Sequence, residues 1–235
     1  MTAVNEALAD VAAVLLDLQT GEAIRLDQSL PGATSTATAS YGTLVSADGQ
    51  TAAYSYRDGA VGCSSCIDTW AFRSGGLVLV SPTASGGTSA TGDSEPVDVS
   101  SDGRFILFHS TAIDLAGGAG ARSPQGHLYV RDLLAGTTTV VAELGALGDA
   151  FASAISDDGT KVVLPVDRVA GNGPRSFAAV HDRNNGLTTV LTPVDLDHQL
   201  SIESWLAMSA NGGRIAFDVQ TNSGDVHHMV VDLSY

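Results

Sequence analysis

Asp-Gly pairs recur along the chain at an almost constant interval. They lie at Asp48-Gly49, Asp102-Gly103 and Asp158-Gly159, and Gly212-Gly213 follows in register, so that the second residues are separated by 54, 56 and 54 positions. Glycine provides the positive φ of a tight hairpin, and aspartate hydrogen-bonds back to the backbone, so such a pair between two apolar runs predicts a β-hairpin. A recurrence near 50 residues predicts a tandem array of similar β units.

A second series of apolar segments repeats with the same interval, each ending near a glycine. Its members are residues 16–18 before Gly21, 70–72 before Gly75 as a weaker copy, 130–133 before Gly136, 180–182 before Gly186, and 231–233. Several short apolar runs per unit are typical of propeller blades, because one small sheet cannot bury both of its faces and must stack on its neighbours.

The clearest unit shows how each blade is built. Strand A is predicted at Pro96–Ser100, strand B at Arg104–Ser110, strand C at His127–Leu133 and strand D at Thr137–Leu144. The core of strand B, residues 105–108, is apolar at every position, which predicts a strand that is buried on both faces.

We therefore predict an all-β protein, a β-propeller made of about four to five four-stranded antiparallel blades. The predicted units cover residues 38–83, 95–144, 149–194 and 201–235, and residues 11–27 complete the last one. Residues 3–18 are also compatible with a helix, but the repeat favours a strand from about Val11 and another at Glu22–Leu26. An incomplete ring is our preferred arrangement, with partial closure as the alternative.

The blade motif also carries a family resemblance. The segments 100–108, 110–115 and 128–133, followed by Gly136-Thr137-Thr138, resemble the repeat of TolB-like, PD40-type (WD40-like) β-propellers, and weaker copies begin at Ser46, Ser156 and Ser209. The resemblance implies a bacterial protein that is secreted or periplasmic, although the sequence starts without the positive region of a signal peptide. It also implies a family of scaffolds, ligand binders and non-catalytic domains of peptidases.

The charge balance excludes two classes of partner. With a net charge of −15 and no stretch that clusters arginine and lysine, we expect neither nucleic-acid nor membrane-surface binding. No apolar run approaches the roughly 18 residues of a membrane-spanning helix.

The sequence contains none of the common catalytic motifs, neither a Gly-x-Ser-x-Gly elbow nor a His-Glu-x-x-His helix nor a phosphate-binding glycine loop. Cys63 and Cys66 fit a local disulfide or two unpaired thiols better than a redox pair or half of a zinc site, because the context for those is missing. Residues 195–198 and 225–228 combine aspartate with histidine, but solvent-exposed loops explain them better than a metal site does. We predict no catalytic residue, no cofactor and no metal.

The connections between strands differ between the two ends of the predicted blades. The long ones, residues 28–37, 58–66, 112–126, 168–175 and 193–201, share one face, where binding residues tend to lie above a rigid scaffold. The candidate ligand-binding residues on this face are Arg57, Arg122, Arg168, Arg175, Asp195, His198 and Trp205.

Two hypotheses for function follow from the sequence. The first is a non-catalytic scaffold that binds a protein, peptide or glycan through the long-loop face. The alternative is the non-catalytic propeller portion of a peptidase, glycosidase or lyase. Open blade edges also predict self-association, because unpaired strand edges tend to pair with another copy.

Overall fold

The computed structural model describes residues 14–26, 39–57, 66–89, 91–118, 126–143, 152–170, 173–191, 198–200, 206–221 and 223–233. Within these ranges every regular element is a β-strand, which confirms the all-β prediction. The chain opens with a hairpin of β1 (Val14–Leu16) and β2 (Ala23–Arg25), which pair antiparallel. This hairpin corresponds to the two strands predicted ahead of the first full unit.

Three four-stranded antiparallel sheets follow, each with its strands in chain order, and we call them blades 1 to 3. Blade 1 consists of β3 (Ala39–Val45), β4 (Thr51–Arg57), β5 (Ile67–Arg73) and β6 (Gly76–Leu79). Blade 2 consists of β7 (Ser94–Val99), β8 (Phe105–Ser110), β9 (His127–Asp132) and β10 (Thr137–Glu143). Blade 3 consists of β11 (Ala154–Ile155), β12 (Lys161–Ala170), β13 (Gly173–Asp182) and β14 (Leu187–Val190).

The last sheet, blade 4, has strands in positions A, B and C. Its A position is occupied by two short pieces, β15 (His198–Leu200) and β16 (Ala207–Met208), which pair with the same edge of β17 (Arg214–Thr221). On the other edge of β17 lies β18 (Val226–Asp232). Among the described residues β2 pairs with β1 and not with β18, so the completion of blade 4 by residues 11–27 stays a prediction.

Two details of the predicted layout were wrong. The fourth A–B turn glycine is Gly212, one residue before the position that the repeat indicated, because Asn211 takes the place of the turn aspartate. The predicted loop at residues 168–175 is mostly strand, since β12 continues to Ala170 and β13 starts at Gly173.

Strand β8 shows why its sequence is apolar at every position. Ile106 and Phe108 pack towards blade 1, in a cluster with Ala53 and Ala71, whereas Phe105 and Leu107 pack towards blade 3. Alternate residues of a strand point to opposite faces, so a strand between two blades needs apolar side chains on both. The stacking of blades thus accounts for the sequence of the strand.

The same stacking joins the remaining units. Val163 and Val180 of blade 3 pack against Ile215, Phe217 and other buried residues of blade 4. At the other end, the fully buried Leu26 packs with Tyr54 of blade 1, and the Tyr54 hydroxyl donates a 3.1 Å hydrogen bond to the Leu26 carbonyl. The order of units along the chain is therefore also their order in space.

Each A–B turn is held in the same way by a serine and an aspartate, or by a serine and Asn211 in blade 4. In blade 2 the Ser100 hydroxyl donates to Asp102 Oδ1 (2.8 Å) and accepts the Phe105 N–H (2.9 Å), while Asp102 Oδ1 also accepts the Arg104 N–H (2.9 Å). The Gly103 N–H closes the turn on the Ser100 carbonyl at 2.8 Å. Blades 1, 3 and 4 repeat these bonds from Ser46, Ser156 and Ser209.

The A–B turn glycines of blades 2 and 3 lie close to the preceding blade. Gly103 has φ +66°, and a Cβ there would lie 2.1 Å from Oγ1 of the buried Thr51 in blade 1. Gly159 has φ +68°, and a Cβ there would lie 2.4 Å from the Phe105 ring of blade 2. Both glycines therefore satisfy two requirements, a left-handed backbone and a close approach between blades.

This close approach predicts unequal effects of one substitution at two equivalent turns. Gly49 has φ +70° with open space around its missing Cβ. Gly49→Ala should therefore cost only the left-handed strain, about 1 kcal/mol. Gly103→Ala should cost about 1–3 kcal/mol more, because Thr51 must move. Urea unfolding of both variants measures the difference, and equal losses would show that the inter-blade contact at Gly103 is not tight.

An ion pair between the partly exposed Arg104 and the buried Asp132 joins the two turns of blade 2. Arg104, next to the A–B turn, donates from Nε and from Nη2 to the two carboxylate oxygens of Asp132, at 3.1 and 2.7 Å. Asp132 also accepts the N–H groups of Leu134 and Ala135 in the C–D turn. The Arg104 hydrogen bonds, followed by these backbone donors, lower the pKa of Asp132 to about 2.

Because the folded-state pKa of Asp132 is depressed, its contribution to stability is present above the unfolded-state pKa and is lost as the pH falls through about 2. Asp132→Asn keeps the oxygen that accepts the turn N–H groups but loses the ion pair. We expect it to lower the free energy of unfolding by about 2 kcal/mol at pH 7 and by much less at pH 2. Denaturant titrations at both pH values measure this. A loss that does not change with pH would contradict it.

Candidate functional site

The two ends of the blades are chemically different. One end, the short-turn face, carries the A–B turns and the C–D turns, whose polar groups are largely used in bonds within and between blades. The turns of neighbouring blades even bond to each other, since Asp48 N–H donates to the Ser101 carbonyl (3.1 Å) and Asp157 N–H to the Ala210 carbonyl (2.8 Å). The opposite end, the long-loop face, carries the B–C and D–A connections.

Two described segments of the long-loop face form a cluster held by hydrogen bonds. We call it the loop cluster and define it as residues 80–89 and 91–93, between blades 1 and 2, together with residues 111–118, which follow β8. Ala116 N–H donates to the Pro82 carbonyl (2.8 Å) and Thr111 N–H to the Asp93 carbonyl (2.9 Å). These backbone bonds tie the two segments into one surface.

Three aspartates hold the loop cluster in place. Asp114 Oδ1 accepts the hydroxyls of Ser89 (2.5 Å) and Thr91 (2.7 Å). Asp93 Oδ1 accepts the N–H of Ile67 at 2.9 Å, and the buried Asp68 accepts the Ser81 hydroxyl at 3.3 Å. The loops are thus fixed before any ligand arrives, which lowers the entropic cost of binding one.

Ionisable groups also gather where blade 2 reaches this face. Glu95 lies opposite His109 across β7 and β8, and His127 lies opposite Glu143 across β9 and β10. Burial raises the pKa of Glu95, an effect that His109 opposes, and burial lowers the pKa of the His127 imidazole. Among the described residues, no group of three or more His, Cys, Asp or Glu side chains is arranged to hold a metal ion.

The predicted ligand-binding residues that the structure describes belong to three different blades. Arg57 is exposed at the end of β4, on the long-loop face. Arg168 and Arg175 lie opposite each other across β12 and β13, and His198 lies opposite Thr221 in blade 4. Arg122, Asp195 and Trp205 lie outside the described residues. The binding role of all seven stays a prediction.

Cys66 lies immediately before β5 and is disulfide-bonded. Cys63 lies outside the described residues, so the pairing of the two cysteines stays a prediction. The bond places a covalent constraint at the long-loop end of blade 1.

Sequence reasoning missed the loop cluster. Its signal was the run from Ser81 to Ser94, which is dense in serine, threonine and glycine and precedes a predicted strand A. Such a run indicates a loop stabilised by side-chain to backbone hydrogen bonds. That the run meets Asp114, which follows strand B of the next blade, follows only from the stacking of the blades.

The chain forms four-stranded antiparallel sheets that stack face to face, which is the arrangement of the blades of a β-propeller. Solved structures place this array among TolB-like β-propellers in fold. The TolB protein of Acinetobacter baumannii is 19% identical over 94% of this chain, with a TM-score of 0.50, and a TolB protein of Agrobacterium tumefaciens is 13% identical over 90%, with a TM-score of 0.51. An oligogalacturonate lyase is 16% identical over 93% of the chain, with a TM-score of 0.52.

These similarities concern the fold and only part of each protein. The chain spans 48% of the A. baumannii TolB, 53% of the lyase and 71% of the A. tumefaciens TolB. No family model matches the sequence, and no curated protein matches it. In the part of the chain that the structure describes, no helix has the length and apolar character to cross a membrane.

The packing of the loop cluster predicts that Gly92 is required there. A Cβ on Gly92 would lie 2.7 Å from the Ala112 nitrogen, whereas a Cβ on Gly87 would meet only the Thr83 hydroxyl, at 3.9 Å. Gly92→Ala should therefore separate the two segments and raise the hydrogen-exchange rate of the Ala112 and Ile113 amides at least tenfold. Gly87→Ala is the matched control. Unchanged exchange in Gly92→Ala would show that the segments do not pack this closely.

Proposed function

We propose that this chain is a non-catalytic β-propeller scaffold that binds a protein, peptide or glycan partner through its long-loop face. The observation that carries the proposal is the loop cluster, an ordered polar surface fixed by its own hydrogen bonds and set on stacked blades. Binding residues tend to lie on loops of this kind above a rigid scaffold.

The side chains on this face support a partner that donates hydrogen bonds. Asp93 and Glu143 are exposed, and Asp114 and Glu95 are partly exposed. Carboxylates accept hydrogen bonds from glycan hydroxyls, from peptide N–H groups and from basic side chains. The net charge of −15 also favours a partner with basic groups, because it attracts cationic and disfavours anionic partners.

Arrays of glycans and of peptides, probed with the labelled protein, test the proposal. The strongest ligand is then titrated against Asp114→Asn, which keeps the Oδ1 acceptor used by Ser89 and Thr91, and against Glu143→Gln. We expect at least one of these variants to bind tenfold more weakly or worse. Asn184→Ala, in an exposed turn of the short-turn face, is the control and should bind as the unmodified protein does.

Two outcomes would contradict the proposal. If binding is unchanged in both long-loop variants but lost in Asn184→Ala, the partner binds at the short-turn face. Cleavage of an arrayed peptide or glycan, seen by mass spectrometry, would contradict a non-catalytic scaffold and favour a peptidase, glycosidase or lyase.

A further inference from the structure

At the short-turn end of the first two blade interfaces lies a guanidinium. Between blades 1 and 2, Arg73 Nη1 donates to the Asp102 carbonyl (3.0 Å) and to Thr51 Oγ1 (3.2 Å). Between blades 2 and 3, Arg183 donates to the Gly159 carbonyl and, from Nη2, to Thr139 Oγ1 (3.2 Å). In both cases the cation caps a carbonyl of an A–B turn and a threonine hydroxyl.

At the interface between blades 2 and 3, blade 2 presents two rows of side chains to blade 3. Phe105, Asp132 and Thr137 are paired in register across β8, β9 and β10, and so are Leu107, Val130 and Thr139. Arg183 enters from the C–D turn of blade 3, with its guanidinium carbon 5.5 Å from the centroid of the Phe105 ring. Arg104 already neutralises Asp132 there, so two cations lie beside one carboxylate at this interface.

The interface between blades 3 and 4 has the same layout, but Lys161 stands where Phe105 stands one blade earlier, and Leu187 where Thr137 stands. Its rows are Lys161, Asp182 and Leu187, then Val163, Val180 and Thr189. Leu233 stands where Arg183 stands one blade earlier, since its N–H donates to the Gly213 carbonyl as the Arg183 N–H donates to the Thr160 carbonyl. The shorter leucine leaves a cleft of about 380 Å³, lined by Lys161, Asp182, Asn185, Leu187, Thr189 and Leu233 among others.

We propose that this cleft binds the guanidinium of an arginine side chain from a peptide or protein partner, in the place that Arg183 fills one blade earlier. Thr189 corresponds to Thr139, which accepts a bond from Arg183, and Asp182 corresponds to Asp132. The aliphatic stem of the arginine lies against Leu187, which is 65% exposed, and Val180.

The positive charge of Lys161 does not prevent a guanidinium from binding in the cleft. Its ammonium donates to the Gly212 carbonyl at 3.3 Å, and it is the cross-strand neighbour of Asp182. Lys161 takes the register position of Phe105 and caps the turn carbonyl that corresponds to Gly159. The acceptors left for a guanidinium in the cleft are therefore the Asp182 carboxylate and the Thr189 hydroxyl.

The proposal concerns the short-turn face and is independent of partner binding at the long-loop face. The test uses the full chain labelled with ¹⁵N and the peptide acetyl-Gly-Arg-Gly-amide. The matched ligand carries citrulline, which has the shape of arginine without its charge. We expect saturable shifts of the Leu187, Thr189 and Leu233 amides with the arginine peptide, and at least tenfold weaker binding of the citrulline peptide.

Three variants locate the site. Thr189→Val removes the hydroxyl acceptor and Leu233→Arg fills the cleft from within, so both should weaken the arginine peptide at least fivefold. Thr188→Val, on the opposite face of the same strand, is the control and should leave the affinity unchanged. Circular dichroism establishes that each variant is folded.

Several results would overturn the proposal. They are shifts confined to other residues, equal affinity for the citrulline peptide, undiminished binding by a folded Leu233→Arg variant, and no saturable binding at all. Because Thr189→Val changes little volume, it tests the site even where Leu233→Arg does not fold.

Discussion

The structure depends on the burial of both faces of each four-stranded sheet by its neighbours. A single blade of this size cannot stand alone, because one face of its B and C strands would expose side chains such as Phe108 or Leu107. Stacking removes that surface from water, and the apolar area buried at each interface is the main favourable term in the stability of the array. The blades are thus folding partners of each other rather than independent modules.

Stacking alone does not fix how far one blade slides along the next, and polar contacts supply that restriction. The A–B turns interlock through Asp157, which accepts the N–H and the hydroxyl of Ser101 in the preceding blade. Near the same interface, Asp98 of β7 accepts the Ile155 N–H of blade 3 at 2.8 Å, and burial raises the pKa of this carboxyl. A buried carboxylate is costly unless it is well bonded, so these contacts define a single register between blades.

Local sequence was sufficient to predict the parts of the fold that local chemistry decides. The serine, aspartate and glycine of the 100–103 turn close their bonds within six residues, and β8 reveals its double burial by composition alone. Contacts between distant segments carried no such signal. The meeting of Ser89 with Asp114 joins residues of two connections, and the continuation of β12 to Ala170 is decided by pairing with β13 rather than by any turn residue. Neither pattern is visible until the blades are stacked.

The repeat also explains where recognition can arise on a scaffold of this kind. At the three interfaces between blades 1 to 4, a cationic side chain donates to a carbonyl of an A–B turn, and the side chain differs each time: Arg73, Arg183 and Lys161. Because the backbone geometry is held constant by the turns, a change in one of these side chains, or in the residue that enters from the C–D turn, alters the volume and charge at the interface without disturbing the blades. Where Leu233 stands in place of an arginine, Lys161 still caps the turn carbonyl, and a cleft lined by Asp182 and Thr189 is left open. Variation in the side chain that enters from the C–D turn thus turns an element of stability into a surface that a partner can occupy.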